Sequence, residues 1–347
     1  MIRTGRRTAM SLIAFAALIA AAPVISQSVM AQPASQTTAP VPQPAPNAEA
    51  AQNATKVAAP SEDADIAFGA FQRGFYMTAF NEATKRAQQN DPDAMTLLGV
   101  LYAQGLGIGR DDTKAAQWYK LAAGRGDRYA IFALAMFAFQ GRAGERDPAE
   151  GARLLDEAAK LGHPAANYNL GLLYLQGQLF KQDFKHAAEL FRKAADAGNP
   201  EAQYALATMY KEGRGVPKDL KQAMLLMGKA SVAGNLDALV EFAIARFNGQ
   251  GIDKDESAAA KMFLGAARRG SAIAQNRLAR ILMAGRGLPA DPAEAIRWHL
   301  IAKAAGAGDP ELDLFASKQP QDVRDAADKA VKKWMSTAVA MKPEKRP

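Results

Sequence analysis

From Ala94 onward the chain sets apolar and small residues at helical spacing, breaks, and begins again. Ala94, Leu98, Leu101 and Tyr102 fall three and four apart, which lines them along one face of an α-helix. Gly105 closes that run, as the residue that turns left-handed after a last helical turn. A second helical run opens behind Asp111, carries Ala122 and stops at Gly126.

The pattern then returns at a fixed interval of 36 residues. Gly105, Gly141, Gly177, Gly213, Gly249 and Gly285 form one column, and Asp111, Asp147, Asp183, Asp219, Asp255 and Asp291 another. Gly126, Gly162, Gly198, Gly234, Gly270 and Gly306 form a third. Alanine columns run from Ala94 and Ala122, and a leucine column from Leu98 is broken only by Phe242. The aspartates stand at the N-cap of each second helix, where a carboxylate accepts from unpaired backbone N–H groups. Pro148 and Pro292 follow at the first helical position, and Glu150 and Glu294 predict a capping box. Asp127, His163, Asn199, Asn235 and Ser271 occupy the cap of each next first helix.

Each unit is therefore helix, glycine loop, helix and tight turn. One such unit cannot hide its apolar stripe, so the units stack. A glycine-rich loop opening a helix can hold a phosphate. Here "GLGIGRDD" at 105–112 follows a helix rather than a strand and recurs in every unit, so it reads as a turn.

The unit "AQYALATMYKEGRGVPKDLKQAMLLMGKASVAGN" (202–235) resembles the SEL-one-like repeat (SLR) of the tetratricopeptide-like superfamily. So does "AANYNLGLLYLQGQLFKQDFKHAAELFRKAADAGN" (165–199), and residues 94–126 meet nearly the whole pattern. The resemblance covers about residues 65–306 and suits a bacterial exported protein. It implies an all-α, right-handed superhelical α-solenoid of about six repeats of 36 residues, used as a protein-interaction scaffold. Residues 68–91 read as a degenerate first unit, and a helix from about Pro320 to Met335 reads as a terminal cap. The array is expected over 61–316, with the capping helix and a basic tail over 317–347.

Ahead of the array, Arg3, Arg6 and Arg7 precede an apolar run from Leu12 to Ala22 and the small residues before Ala31. That order predicts a signal peptide over 1–31, cleaved near Ala31, and a periplasmic or secreted product; retention as an anchor is the alternative. Residues 32–60, rich in Pro, Ala, Gln and Thr, predict a disordered linker. The net charge of +8 belongs to the ends: the first segment holds three arginines without an acid, and the tail from Lys329 is net +5. Residues 61–328 are neutral, which removes the case for nucleic acid. The tail suits weak contact with an anionic membrane surface or a cell-wall polymer.

No catalytic motif is legible in the chain, and its carboxylates read as caps and surface charges. Cysteine is absent, and neither Gly-x-Ser-x-Gly nor His-Glu-x-x-His occurs. His163, His186 and His299 have no second histidine or carboxylate at metal-ligand spacing in their helices, so no metal, cofactor or enzymatic activity is expected.

Matching the repeat to its superfamily places the groove-facing positions of the first helices in the columns of residues 96, 100, 103 and 104. These columns vary while the packing columns do not. They supply Phe132, Tyr168 and Tyr204, the amides Gln140 and Gln176, and the cations Lys211 and Arg280 as candidate partner-binding residues. Aromatic rings beside amides suit an extended peptide. Two placements of the aromatics remain open: on the groove wall, or packed between neighbouring units. The expected function is a non-catalytic periplasmic scaffold or regulator for a protein or peptide partner, with a factor binding or modulating peptidoglycan-remodelling machinery as the alternative.

Overall fold

A computed structural model describes residues 66–340, with side chains to 336. The signal segment, the linker and the end of the basic tail lie outside the described residues. Within them the chain is sixteen α-helices and no strand. In order these are α1 (Ile66–Gln72), α2 (Tyr76–Gln88), α3 (Pro92–Gln104), α4 (Asp112–Ala123), α5 (Arg128–Gln140), α6 (Pro148–Lys160), α7 (Pro164–Gln176) and α8 (Phe184–Asp196). There follow α9 (Pro200–Glu212), α10 (Leu220–Val232), α11 (Leu236–Asn248), α12 (Glu256–Arg268), α13 (Ala272–Ala284) and α14 (Pro292–Ala304). The last two are α15 (Pro310–Ser317) and α16 (Gln321–Ala340). The expected all-α solenoid is present, including the short first pair α1–α2 and the terminal helix. Two compact units divide it, one ending at Gln182 and the other beginning at Asp183.

The glycine loops have the structure their columns require. Gly105, Gly141, Gly177, Gly213, Gly249 and Gly285 all adopt the left-handed conformation, with φ between 67° and 76°. The following aspartate then does two jobs in five of the six loops, at Asp111, Asp147, Asp219, Asp255 and Asp291. Its carboxylate accepts the N–H three residues on, as in Asp111 to Lys114 and Asp147 to Glu150, both 2.9 Å. Its own N–H donates back across the loop to the preceding helix, Asp111 to Tyr102 O at 3.0 Å and Asp147 to Ala138 O at 2.9 Å. The predicted capping box is therefore only half made. The cap N–H that Glu150 would accept is already used, and the Glu150 carboxylate turns outward to Arg153 at 2.7 Å.

In the first unit, α3 packs with α4 and α5 with α6, while α2, α4 and α6 each rest on the helix that follows; α3 and α5 also touch. Small residues allow the close approach. A Cβ at Gly99 would lie 2.4 Å from the ring of Tyr119, which is fully buried. Successive pairs are tied by contacts about 30 residues apart. Arg142, in the loop before α6, donates to the carboxylate of Asp112 at the start of α4 and to Ala103 O at 2.8 Å, with its guanidinium 4.2 Å from the Phe137 ring.

The second unit repeats these devices in α9–α10, α11–α12 and α13–α14. Arg286 grips Glu256 at 2.5 Å, while the equivalent Arg214 lies over the Phe184 ring at 4.4 Å. Loop and neighbouring helix approach so closely that a Cβ at Gly215 would lie 2.2 Å from Phe184 O. The array ends where α16 covers α14, Trp334 meeting the buried Trp298 with centroids 5.3 Å apart. Arg297 stacks on Trp298 at 4.4 Å. After Gly306 the register shifts: α15 is capped by Asp309, two residues beyond the 36-residue position.

Two consequences are measurable. Gly198 and Gly215 share positive φ, but only Gly215 faces a neighbour's backbone. Gly198→Ala should cost about 1–2 kcal/mol, the price of left-handed strain, and Gly215→Ala clearly more, read from urea midpoints. Hydrogen bonding from Arg142, reinforced by Arg110, holds the Asp112 carboxyl well below the usual carboxylate range. A depressed folded-state value contributes stability above the ordinary aspartate value and loses it as pH falls below. Arg142→Met should destabilise by about 2 kcal/mol at neutral pH, and the gap from wild type should narrow in acid denaturation series.

Candidate interaction site

The first helices carry the variable columns, so their exposed side is where a partner could be read. Its residues fall into three groups by what already holds them.

Phe132 does not reach a surface. It is fully buried on α5, its ring stacked on His163 with centroids 4.5 Å apart and planes at 15°. The physical reason is the phase of the repeat: the N-cap of the next first helix lands on the column of residue 96. Asn276, in the same column, shows the same contact by donating to Asp309 Oδ2 at 3.1 Å. Val240 in this column is also buried. For Phe132 the packed placement is the one realised.

The cations are engaged within the protein. Lys211 Nζ donates to Glu241 Oε2 at 2.5 Å, and the Tyr204 hydroxyl donates to Oε1 of the same carboxylate at 2.7 Å. Burial, with Glu241 beside it, pushes the Tyr204 hydroxyl well above its ordinary value, so it stays a donor. Arg280 donates to Asp309 and Glu311, both at 2.6 Å. Against burial, which alone would raise it, the bonds from Arg280 and Asn276 hold the Asp309 carboxyl below the usual range. Sequence reasoning found Tyr204, Lys211 and Arg280 and missed their partners. Glu241 lies one position outside the chosen columns, and Asp309 lies out of register.

Uncharged residues make the third group. Gln140 is exposed at the end of α5, and Tyr168 and Gln176 are half-buried on α7. Between them α5 and α7 add half-buried Met136, Phe139, Leu172 and Leu175. In the first unit this side is apolar with amides and no charge.

A buried amide series also escaped the sequence. Asn167, Gln203 and Gln275 donate to Ala159 O, Ala195 O and Ala267 O at 3.1 to 3.3 Å, bridging the turn behind each first helix. They share a column with Met95, Ile131 and Leu239, which concealed the signal. The histidines are dispersed. His163 is a buried cap, and His299 is buried with Nε2 2.8 Å from Asp313 Oδ1. His186 does have a carboxylate one turn away, Glu189 at 3.6 Å, which the spacing argument overlooked. Among the described residues no group of three or more His, Asp or Glu side chains could hold a metal ion, and no helix is long and apolar enough to cross a membrane.

The Sel1 repeat model matches residues 92–127, 128–163, 164–199, 200–235, 238–271 and 272–306, well over half of the chain. The chain belongs to the Sel1-repeat family. The structure is similar to that of a Sel1 repeat protein from Oxalobacter formigenes, at 29% identity and TM-score 0.62, covering 69% of this chain and 98% of that one. It is also similar in fold to c5321, a protective antigen of uropathogenic Escherichia coli with an SLR fold, at 24% identity and TM-score 0.50, covering 78% and 68%. No curated protein matches the sequence. Sel1 repeats generally serve as scaffolds for protein–protein interaction rather than as catalysts.

If Phe132 is core and Gln140 surface, truncation separates them. Phe132→Ala should lower stability by about 3–5 kcal/mol, and Gln140→Ala should stay within about 0.5 kcal/mol, by urea denaturation.

Proposed function

We propose that this Sel1-repeat protein is exported to the periplasm and there holds a protein or peptide partner on the exposed side of its first helices. The observation that supports this reading is the contrast between columns. Every packing column is held nearly constant, while the first-helix columns change character from one repeat to the next. In the first unit they offer Tyr168, Gln140 and Gln176 beside apolar side chains. Rings bury area and amides pair with an extended backbone, without calling for charge on the partner. The basic, apolar and small-residue order of residues 1–31 supports export.

A photo-crosslinking residue at Gln140 or Gln176 tests both parts in cells. It should trap a discrete periplasmic partner, abolished by Tyr168→Ala in protein that remains folded by circular dichroism, whereas the same probe at Glu157 on α6 should not. Equal trapping at all three positions, or a cytoplasmic product, defeats the reading.

The net +5 of residues 329–347 favours a second reading, contact with an anionic cell-wall polymer. Truncation at Ala327 would remove Trp334 and uncover Trp298. Replacing Lys329, Lys332, Lys333, Lys342 and Lys345 by Gln is the cleaner probe. Salt-sensitive binding to purified sacculi should then disappear.

A further inference from the structure

His163 caps α7 from the turn after α6 and is 3% exposed. Its Nδ1 accepts the Ala166 N–H at 3.1 Å. The ring is stacked on Phe132, and the Tyr129 ring meets it edge-on with centroids 4.8 Å apart. An imidazole nitrogen accepts only through its lone pair, and a protonated imidazole donates from both nitrogens. Adding a proton to Nδ1 therefore sets donor against donor. It also places a cation at the positive end of the α7 dipole.

The surroundings oppose that cation. From α5, Arg128 donates to Leu161 O at 3.2 Å and Gly162 O at 3.0 Å, on the two residues before His163, and lies 5.1 Å from the Tyr129 ring. Tyr129 is the other titratable group on that helix to face the ring. The carboxylate of Asp127 is occupied by the Tyr129 and Ala130 N–H groups, both at 2.8 Å, and burial pushes it up. On α6, Glu157 pairs with Arg153 and Lys160 with Asp156. No residue of α7 is charged. Burial, and then Arg128, push the imidazole down to about 3.

We propose that the turn between α6 and α7 is an acid-sensitive joint: protonation of His163 removes the α7 cap and unstacks Phe132, opening this junction in mild acid. The turns before α9, α11 and α13 are capped by Asn199, Asn235 and Ser271, which do not titrate there, and stay closed. The sign is fixed by the depressed value. The open state takes up the proton first, so the closed joint is favoured above the ordinary histidine value and loses that preference as pH falls below it. Near pH 4.5 the open-to-closed ratio should rise up to about a hundredfold over neutral. This stands whether or not the first-helix side binds a partner.

Hydrogen exchange on the full chain at about pH 7 and about pH 4.5, corrected for intrinsic rates, tests it on wild type, His163→Asn and His163→Ser. Peptides spanning 158–170 should lose protection by about tenfold or more in acid in wild type and in neither variant. Peptides around 230–240 and 266–276 should change little in all three. Equal loss in wild type and variants, or no loss in wild type, overturns the proposal. If either variant is already open at neutral pH, an NMR titration of the wild-type imidazole decides. A midpoint at the ordinary histidine value overturns the proposal; one well below it, with protection falling from the ordinary histidine value downward, supports it.

Discussion

A single residue type carries the loop geometry: the aspartate that follows each glycine loop. Its carboxylate ends the unpaired N–H groups of one helix, and its N–H reaches back to a carbonyl near the end of the previous one. Both bonds exist only if the loop has one length and one path. A left-handed glycine starts that path in all six loops, and in five of them the aspartate makes both bonds that finish it. Fixing the angle between two helices fixes where every side chain on both will point. That is why the interval of 36 residues tolerates no insertion from Gly105 to Gly306.

Once the frame is fixed, contacts between neighbouring pairs can change chemistry without moving it. At one pair of columns about 30 residues apart, the tie is Arg142 with Asp112, Arg214 with Phe184, and Arg286 with Glu256. In these three repeats one geometric slot holds an ion pair or a cation–π contact. The caps of the first helices vary in the same way, through Asp127, His163, Asn199, Asn235 and Ser271. Each accepts a backbone N–H, yet they differ in size, burial and response to protons. The joints of the array are equivalent in position and unequal in physics.

This divides what sequence could and could not show. Columns repeated six times made helix ends legible, because a cap is a local requirement on residue type. The half-made capping box marks the limit of that logic. Glu150 had the right spacing, but its target N–H was taken by Ala138 O, across the loop. Phe132 was ambiguous for a related reason. Its column is faced by the cap of the next repeat, and only the packed phase of two helices shows that a ring there meets His163. Glu241 was missed because a carboxylate one position outside a chosen column looks like ordinary surface, although it joins Tyr204 and Lys211. The amides Asn167, Gln203 and Gln275 were hidden among apolar neighbours in one column, since half of their repeats use no polar group at all.

The two units differ in what contact with a partner would require. Around Tyr204, Lys211 and Glu241 the polar groups already satisfy one another, as do Arg280, Asp309 and Glu311. A partner there must match the network as found or supply replacement bonds, although each of these partly exposed pairs contributes only about 1 kcal/mol. Such a surface rejects more readily than it attracts, which favours specificity over affinity. The α5–α7 side of the first unit presents amides among apolar side chains, so burial there needs no ion to be displaced. It is also the unit that contains His163, one helix turn from Asn167 and directly against Phe132. The surface that asks least electrostatically of a partner is thus built on the same joint that His163 caps. Any partner held along α5 and α7 would feel the state of that joint through the packing of Phe132.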